Sequence, residues 1–278
     1  MKRLTGIAAL AGMFLALAAF QSPAQAAQAT ETIQKSFPLA QGGSFSIDNV
    51  NGAITVQVWD KNELQVTAVK TVKASSESQA KEELAKLKVI FDASEKSVKI
   101  TTDYPKESFW SFGWLGGGTS RNVTFTVLAP KGAKMDLQSV NGSVDVGAPG
   151  SDVTAETVNG AVTIHGAAIL SATSVNGKIV FEADYLRSIE TTNGSIEGAV
   201  RSEKPSPGSA ETVNGSATLR FSPKAAFHLE VENVNGSITS DFGGLEGTAH
   251  SKEGDVNGGG AAIKIETVNG SVTVLAAK

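Results

Sequence analysis

One segment near the C-terminus decides the fold: Glu266-Thr267-Val268-Asn269-Gly270-Ser271-Val272-Thr273-Val274. Its central tripeptide, Val-Asn-Gly, recurs along the chain. A Thr- or Ser-rich segment usually precedes it, and alternating β-branched residues follow it. Alternation with a period of two predicts a strand that buries one face. Repetition of the whole unit predicts that the chain builds one supersecondary structure many times.

The copies of the repeat share an Asn-Gly pair in the same place. The pairs are Asn51-Gly52, Asn141-Gly142, Asn159-Gly160, Asn176-Gly177, Asn193-Gly194, Asn214-Gly215, Asn235-Gly236 and Asn269-Gly270. From Asn141 to Asn235 the spacing is about 17 to 21 residues. A degenerate copy, Val256-Asn257-Gly258, lies in the longer gap before Asn269.

Two backbone geometries are open for the Asn-Gly pair. A type I′ hairpin suits it, because both residues tolerate positive φ, but such a hairpin would leave Val268 on the polar face beside Glu266. A corner instead turns Val268 inward, with Val272 and Val274 inward along the next side. The near-constant period favours the corner, since stacked coils share one perimeter. We therefore expect an all-β fold, a β-solenoid of the β-helix or β-roll type with coils of about 17–21 residues.

A single coil of this size buries too few apolar side chains to offset the backbone entropy that folding removes. Stacking must supply the remaining stabilisation by pairing each backbone with its neighbours. Identical residues then align between coils, so the Asn side chains are predicted to form an amide ladder and the Gly residues to permit the tight corner. We expect these residues to be structural.

The N-terminus resembles an export signal. Lys2 and Arg3 precede an apolar run from Ile7 to Phe20, and Ala24-Gln25-Ala26 supplies a cleavage pattern of small residues. A membrane anchor is the alternative, but the run of about 14 residues is shorter than the roughly 20 that span a bilayer. We expect residues 1–26 to be removed, leaving no transmembrane segment.

Residues 27–135 are β-rich but less regular than residues 136–278, which we assign to the repeat solenoid. One helix is predicted near residues 76–88, with Ala80, Leu84 and Leu87 on one face. Terminal coils need covering to avoid association through their edges. We expect residues 27–135 to form the first coils and to cap one end of the stack.

An aromatic segment interrupts this region, with Phe109, Trp110, Phe112 and Trp114 next to three glycines. Its aromatic side chains either fold back onto the sheet or form an exposed tip that binds a partner. We keep these four residues as a possible partner-binding loop.

The composition excludes several kinds of chemistry. The chain has no cysteine, so disulfides and thiolate metal sites are excluded, and its net charge of −4 argues against nucleic-acid binding. The three histidines are far apart and match no metal-ligand spacing. We recognise no catalytic, metal or cofactor motif, and we expect neither an enzyme nor a cofactor.

The pattern Val-Asn-Gly-x-[Val/Ile]-x-[Val/Ile], behind an export signal and a β-rich N-terminal region, resembles a bacterial family of unknown function catalogued as putative adhesins. The resemblance covers roughly residues 36–278. It implies a β-solenoid-like fold and a cell-envelope setting, and it defines no catalytic residue.

Together these features predict an exported, non-enzymatic protein of the cell envelope, either periplasmic or secreted and associated with the surface. It would present a rigid β-face to a protein or polysaccharide partner. One alternative is an envelope-stress or regulatory accessory protein that acts through protein contacts. Another is a carbohydrate-active β-solenoid enzyme, which needs carboxylates that converge on one face.

Overall fold

A computed structural model describes residues 27–105 and 118–277 of the chain. The predicted export signal (1–26) and the aromatic residues Phe109, Trp110, Phe112 and Trp114 lie outside the described residues. Within the described part the fold is nearly all β with one short helix, and a continuous hydrophobic core runs through it. The all-β prediction with a single short helix is therefore confirmed.

The first part of the chain holds seven strands and the helix. They are β1 (Ala27–Pro38), β2 (Ser44–Asn51), β3 (Ile54–Trp59), β4 (Glu63–Ala74), α1 (Glu77–Lys86), β5 (Lys88–Ala93), β6 (Ser97–Asp103) and β7 (Ser120–Pro130). The hydroxyl of Ser76 caps α1 by accepting a hydrogen bond from the backbone N–H of Gln79. Ala80, Leu84 and Leu87 are buried, as their helical spacing predicts.

The remaining strands carry most of the repeats. They are β8 (Lys134–Asn141), β9 (Val144–Gly147), β10 (Val153–Asn159), β11 (Val162–Asn176), β12 (Ile179–Asn193), β13 (Ile196–Val200), β14 (Gly208–Asn214), β15 (Ala217–Phe221), β16 (Phe227–Asn235), β17 (Ile238–Ser240), β18 (Glu246–Gly247), β19 (Ser251–Val256), β20 (Ala261–Asn269) and β21 (Val272–Ala276).

The strands on the two sides of an Asn-Gly pair belong to two different ladders. Each strand pairs in parallel with the matching strand of a neighbouring copy. Val153, before one Asn-Gly, pairs with Met135 on one side and Leu170 on the other. Ile179, after another, pairs with Val162 and Ile196. The Asn-Gly pairs therefore connect two parallel ladders and are not the tips of hairpins.

The N-terminal strands extend both ladders at one end of the stack. In one ladder β2 pairs with β8 and β6, and β5 adds an antiparallel strand beyond β6. In the other, β3 pairs with β9 and β7, and β7, β4 and β1 then follow in antiparallel order. Helix α1 packs against β1 and β4.

The order of the copies in the stack departs from their order in the sequence. Strand β20, from the C-terminal copy, pairs with β14 on one side and with β16 on the other. It therefore lies between two copies that precede it in the chain. The antiparallel strand β19 pairs with the other edge of β16, so β19 and β20 lie on opposite edges of that strand.

The degenerate copy does not join the stack as a repeat. Val256 ends β19, and Asn257 adopts a positive φ of 48° in the turn that follows. The side chain of Asn257 donates hydrogen bonds to the carbonyls of Pro223 and Ala225, both at 2.9 Å. The interpretation of this tripeptide as a copy of the unit is therefore wrong, and its Asn-Gly pair serves a local turn.

The valine of the tripeptide does not point inward, so that prediction is also wrong. Val268 is 40% exposed, whereas the preceding Thr267 is 3% exposed. The alternation of the strand continues as far as Val268, so one of these two residues must face the core. Thr267 can do so because its hydroxyl donates a hydrogen bond to the carbonyl of Gly215 in the neighbouring copy at 2.9 Å.

Candidate functional site

The Asn side chains of the eight intact copies form one continuous amide ladder. In every step an Nδ2 donates to the Oδ1 of the Asn in the next copy, at 2.7–2.9 Å. The order along the ladder is Asn51, Asn141, Asn159, Asn176, Asn193, Asn214, Asn269 and Asn235. All bonds run in one direction, so each polarises the next. The sequence predicted this ladder and its residues.

The Gly residues of the tripeptides are required by close approach. A Cβ atom at Gly215 would meet the carbonyl oxygen of Gly194, and a Cβ atom at Gly270 would meet that of Gly215. The same contact recurs at Gly142, Gly160, Gly177, Gly194 and Gly236. Only at the two ends of the stack, Gly52 and Gly236, does a repeat glycine also adopt a clearly positive φ. The tight packing of neighbouring copies therefore excludes any side chain here.

A buried row of hydroxyls lies beside the ladder, and sequence reasoning did not identify its role. The residue before each valine is usually Thr or Ser, and its hydroxyl donates to the carbonyl of the neighbouring copy's glycine at 2.9–3.1 Å. The donors are Ser139, Thr157, Ser174, Thr191, Thr212 and Thr267. The recurrence of Thr or Ser before an exposed Val was the available signal.

The outward valines line up along the stack, and we call them the valine column. Its members are Val140, Val158, Val175, Val213, Val268 and Val234, with exposed fractions between 38% and 62%. Thr192 takes this position in one copy. Aligned apolar side chains on an outer surface add nothing to the core, and apolar surface of this kind marks a contact site.

Four glutamates form a second line beside the valines, the carboxylate column. Glu190, Glu211, Glu266 and Glu232 occupy one register position in four successive strands. Neighbouring strands are about 4.8 Å apart, and like charges directly opposite one another destabilise a sheet. The column therefore produces a concentrated negative potential on the outer face.

One lysine offsets part of this charge. Lys264 forms an ion pair with Glu266, its Nζ lying 2.8 Å from the Oε1. The hydrogen bond to Glu266 raises the pKa of Lys264, and the charges of Glu232 and Glu211 add to the shift. The charge of Lys264 therefore interacts with three carboxylates of the column.

A groove runs between the two columns, across the strands and along the axis of the stack. Its volume is about 530 Å³. Members of the valine column and the carboxylate column line it, the buried hydroxyl row lies between them, and His250 and Ser251 stand at one end. A smaller groove continues past Val140 and Val158 toward Asn49. This face combines apolar and acidic surface over most of the stack.

The two ends of the hydroxyl row carry asparagines with different surroundings. Asn49 is fully bonded: its Nδ2 donates to the carbonyls of Gly52 and Val123 at 3.0 and 2.9 Å, and its Oδ1 accepts from Thr102. Asn233 is 5% exposed and its Oδ1 contacts His250 Nδ1 at 2.8 Å, but its buried Nδ2 has no partner among the described residues. Asn233 lines the groove.

A titratable cluster lies on the outer face of β16 and β19. The Nδ1 of His228 lies 2.7 Å from Asp255, and its Nε2 lies 3.2 Å from Glu253. The hydrogen bond with Asp255 raises the pKa of His228 above its ordinary value, and the one with Glu253 acts in the same direction. This cluster supports the pairing of β19 with the stack.

Two kinds of site are absent from residues 27–105 and 118–277. There is no group of three or more His, Asp or Glu side chains placed to hold a metal ion. No helix there has the length and apolarity that crossing a bilayer requires.

Comparison with known proteins finds similarity among solved structures alone. No family model matches the chain, and no curated protein matches it. A putative cell adhesion protein from Clostridium sporogenes has 11% identity and a TM-score of 0.35, covering 89% of this chain and 100% of that one. A putative adhesin from Bacteroides fragilis has 13% identity and a TM-score of 0.39, with 89% and 97% covered.

A putative lipid binding protein from Parabacteroides distasonis has 12% identity and a TM-score of 0.37, and the alignment covers 89% of this chain and 97% of that one. The similarity to these bacterial proteins spans most of each chain and is distant in both sequence and geometry.

Proposed function

We propose that this protein is an exported, non-enzymatic binding module of the cell envelope, built as a β-solenoid that is capped by residues 27–135. The groove between the valine and carboxylate columns is its contact surface. It acts in the periplasm or at the cell surface, where it holds a partner in the manner of an adhesin. The parallel, in-register pairing of the copies supports the solenoid architecture.

One observation carries the binding role: the valine column. Six valines at one register position are exposed, although a Thr at that position would suit the same backbone, as Thr192 does. Stacking alone needs only the contact between neighbouring side chains in the column, which a Thr at this position also makes. A surface that must exclude water from a partner gains apolar area from each of them.

Site-specific crosslinking in cells tests this function. Cell fractionation is expected to find the protein outside the cytoplasm. In the same cells, a photo-reactive amino acid at Val213 or Val268 is expected to crosslink one envelope component. The same amino acid at Asp145, on the outer face of the other ladder, is the matched control and should give no crosslink. Identical products from all three positions would contradict the proposal.

A second candidate is supported by the carboxylate column. Neighbouring glutamates in it stand on strands about 4.8 Å apart, close to the roughly 5–5.5 Å between the carboxyl groups of retaining glycosidases. A carbohydrate-active enzyme would therefore act at Glu211 and Glu266. Release of reducing sugar from envelope polysaccharides, abolished by Glu211→Gln, would establish this activity and displace the binding role.

A further inference from the structure

The groove carries two features that lower the stability of the free protein, and both face the same space. Glu190, Glu211, Glu266 and Glu232 repel one another across adjacent strands. The valine column exposes apolar surface to water. Departures from good packing that converge on one place mark a functional site.

Each feature specifies part of a complementary ligand. The carboxylate column calls for cations, because Lys264 reaches only Glu266 with a direct ion pair. The valine column calls for apolar groups along the other side of the ligand, away from the carboxylates.

The length of the groove fits a short extended chain. Its lining comes from five successive copies, from the one with Val175 to the one with Val234. Four strand intervals give roughly 19 Å, which about six residues of extended peptide span. Side chains of such a peptide alternate left and right, so one set would face the carboxylates and the other the valines.

We propose that the groove binds an extended peptide segment in which basic and aliphatic residues alternate. The Lys or Arg side chains pair with the carboxylate column, and the aliphatic side chains cover the valine column. This proposal rests on the binding role proposed above and names the chemical class of the partner.

Binding of defined peptides to the purified protein tests the proposal. A labelled, end-capped peptide with the repeated sequence Lys-Val over six residues is the probe, measured by fluorescence anisotropy. The comparison peptides are the Glu-Val hexapeptide and a block peptide of three Lys followed by three Val. We expect the alternating basic peptide to bind at least about tenfold more tightly than either, with affinity that falls as salt rises.

Substitutions locate this binding on the groove. The double variant E211Q/E232Q should weaken it about tenfold or more, because each surface ion pair contributes a factor of up to about five. The double variant V213T/V268T should also weaken peptide binding, because it removes apolar contact. Thr192 occupies the same position in another copy, so the fold tolerates Thr there. Asp145→Asn removes one exposed carboxylate from the other ladder and should leave the affinity unchanged.

Three outcomes would overturn the proposal. They are no saturable binding at millimolar peptide, equal binding of the Glu-Val peptide, or an equal loss in the Asp145→Asn variant. Saturable binding of an oligomeric amino sugar in place of the peptide would assign the groove to a cationic polysaccharide. If the peptides fail while Val213 still crosslinks an envelope component, only the partner class is wrong. If the peptides do not bind and Val213 forms no crosslink, the proposed binding role is wrong as well.

Discussion

Asn269 donates a hydrogen bond from Nδ2 to Oδ1 of Asn214 at 2.8 Å, across 55 residues of sequence. On its other side Asn269 accepts from Asn235, which precedes it by 34 residues. The C-terminal copy is thus an interior member of the stack. A stack assembled strictly in sequence order would instead pair Asn214 with Asn235 directly. The C-terminal residues therefore complete the packing of two earlier copies.

The glycine contacts predict a position-specific cost of adding one methyl group. Gly215→Ala would drive a Cβ into the carbonyl of Gly194, and neither backbone can move without disturbing its ladder. We expect a loss of about 1–3 kcal/mol in unfolding free energy, as for other overpacked sites. Denaturant unfolding of the variant measures this loss.

The control for that experiment is Gly147→Ala. A Cβ at Gly147 would meet only the carbonyl of Val56, at 3.9 Å. This variant should change stability by no more than about 0.5 kcal/mol. Equal losses at Gly215 and Gly147 would mean that the copies are not packed as closely as described.

Two valines that lie four residues apart should lose very different amounts of stability on the same substitution. Val272 is fully buried, so Val272→Thr places a hydroxyl in the core and should cost about 1–3 kcal/mol. Val268 is 40% exposed, and Val268→Thr should change stability by less than about 0.5 kcal/mol. Thermal or denaturant unfolding measures the loss of stability in each variant. A larger loss for Val268→Thr than for Val272→Thr would mean that the Val268 side chain points into the core.

The histidine cluster predicts a pH dependence of the last part of the stack. Because Asp255 raises the pKa of His228, the folded state favours the imidazolium. Its contribution to stability is complete below about pH 6.5, the ordinary histidine value, and is lost as pH rises through the raised pKa. NMR titration should find this pKa above the ordinary value, and Asp255→Asn should return it toward that value. An unshifted pKa in the unsubstituted protein would contradict the contact.

The valine column shows where sequence reasoning stops. The period-two pattern after Asn269 correctly predicts that Val272 and Val274 are buried. The alternation of the preceding strand, in which Ile263 and Ile265 are buried, places Thr267 inward and Val268 outward, and the phase changes at the Asn-Gly pair. The prediction of an inward corner rests on burying an apolar residue in preference to a Thr. Only the three-dimensional structure reveals the glycine carbonyl of another copy that satisfies the Thr267 hydroxyl.

The rest of the candidate site depends on contacts between distant copies. The spacing of the Asn-Gly pairs was sufficient to predict an amide ladder. The carboxylate column was not predicted, although Glu211, Glu232 and Glu266 each lie three residues before a repeat Asn; only their order in the column depends on the insertion of the C-terminal copy. The order was not predicted because β19 pairs antiparallel with β16, whereas the Val-Asn-Gly at Val256 suggested a further stacked copy there.

Disulfide mapping tests the parallel, interleaved stack most directly, because the chain has no cysteine of its own. Thr273 lies between Thr218 and Thr239 in register, and in-register strands hold Cα atoms at a distance that a disulfide can bridge. Under mild oxidation, T218C/T273C and T239C/T273C should each form an intramolecular disulfide, and T218C/T239C should not. A disulfide in T218C/T239C together with none in T218C/T273C would contradict the account.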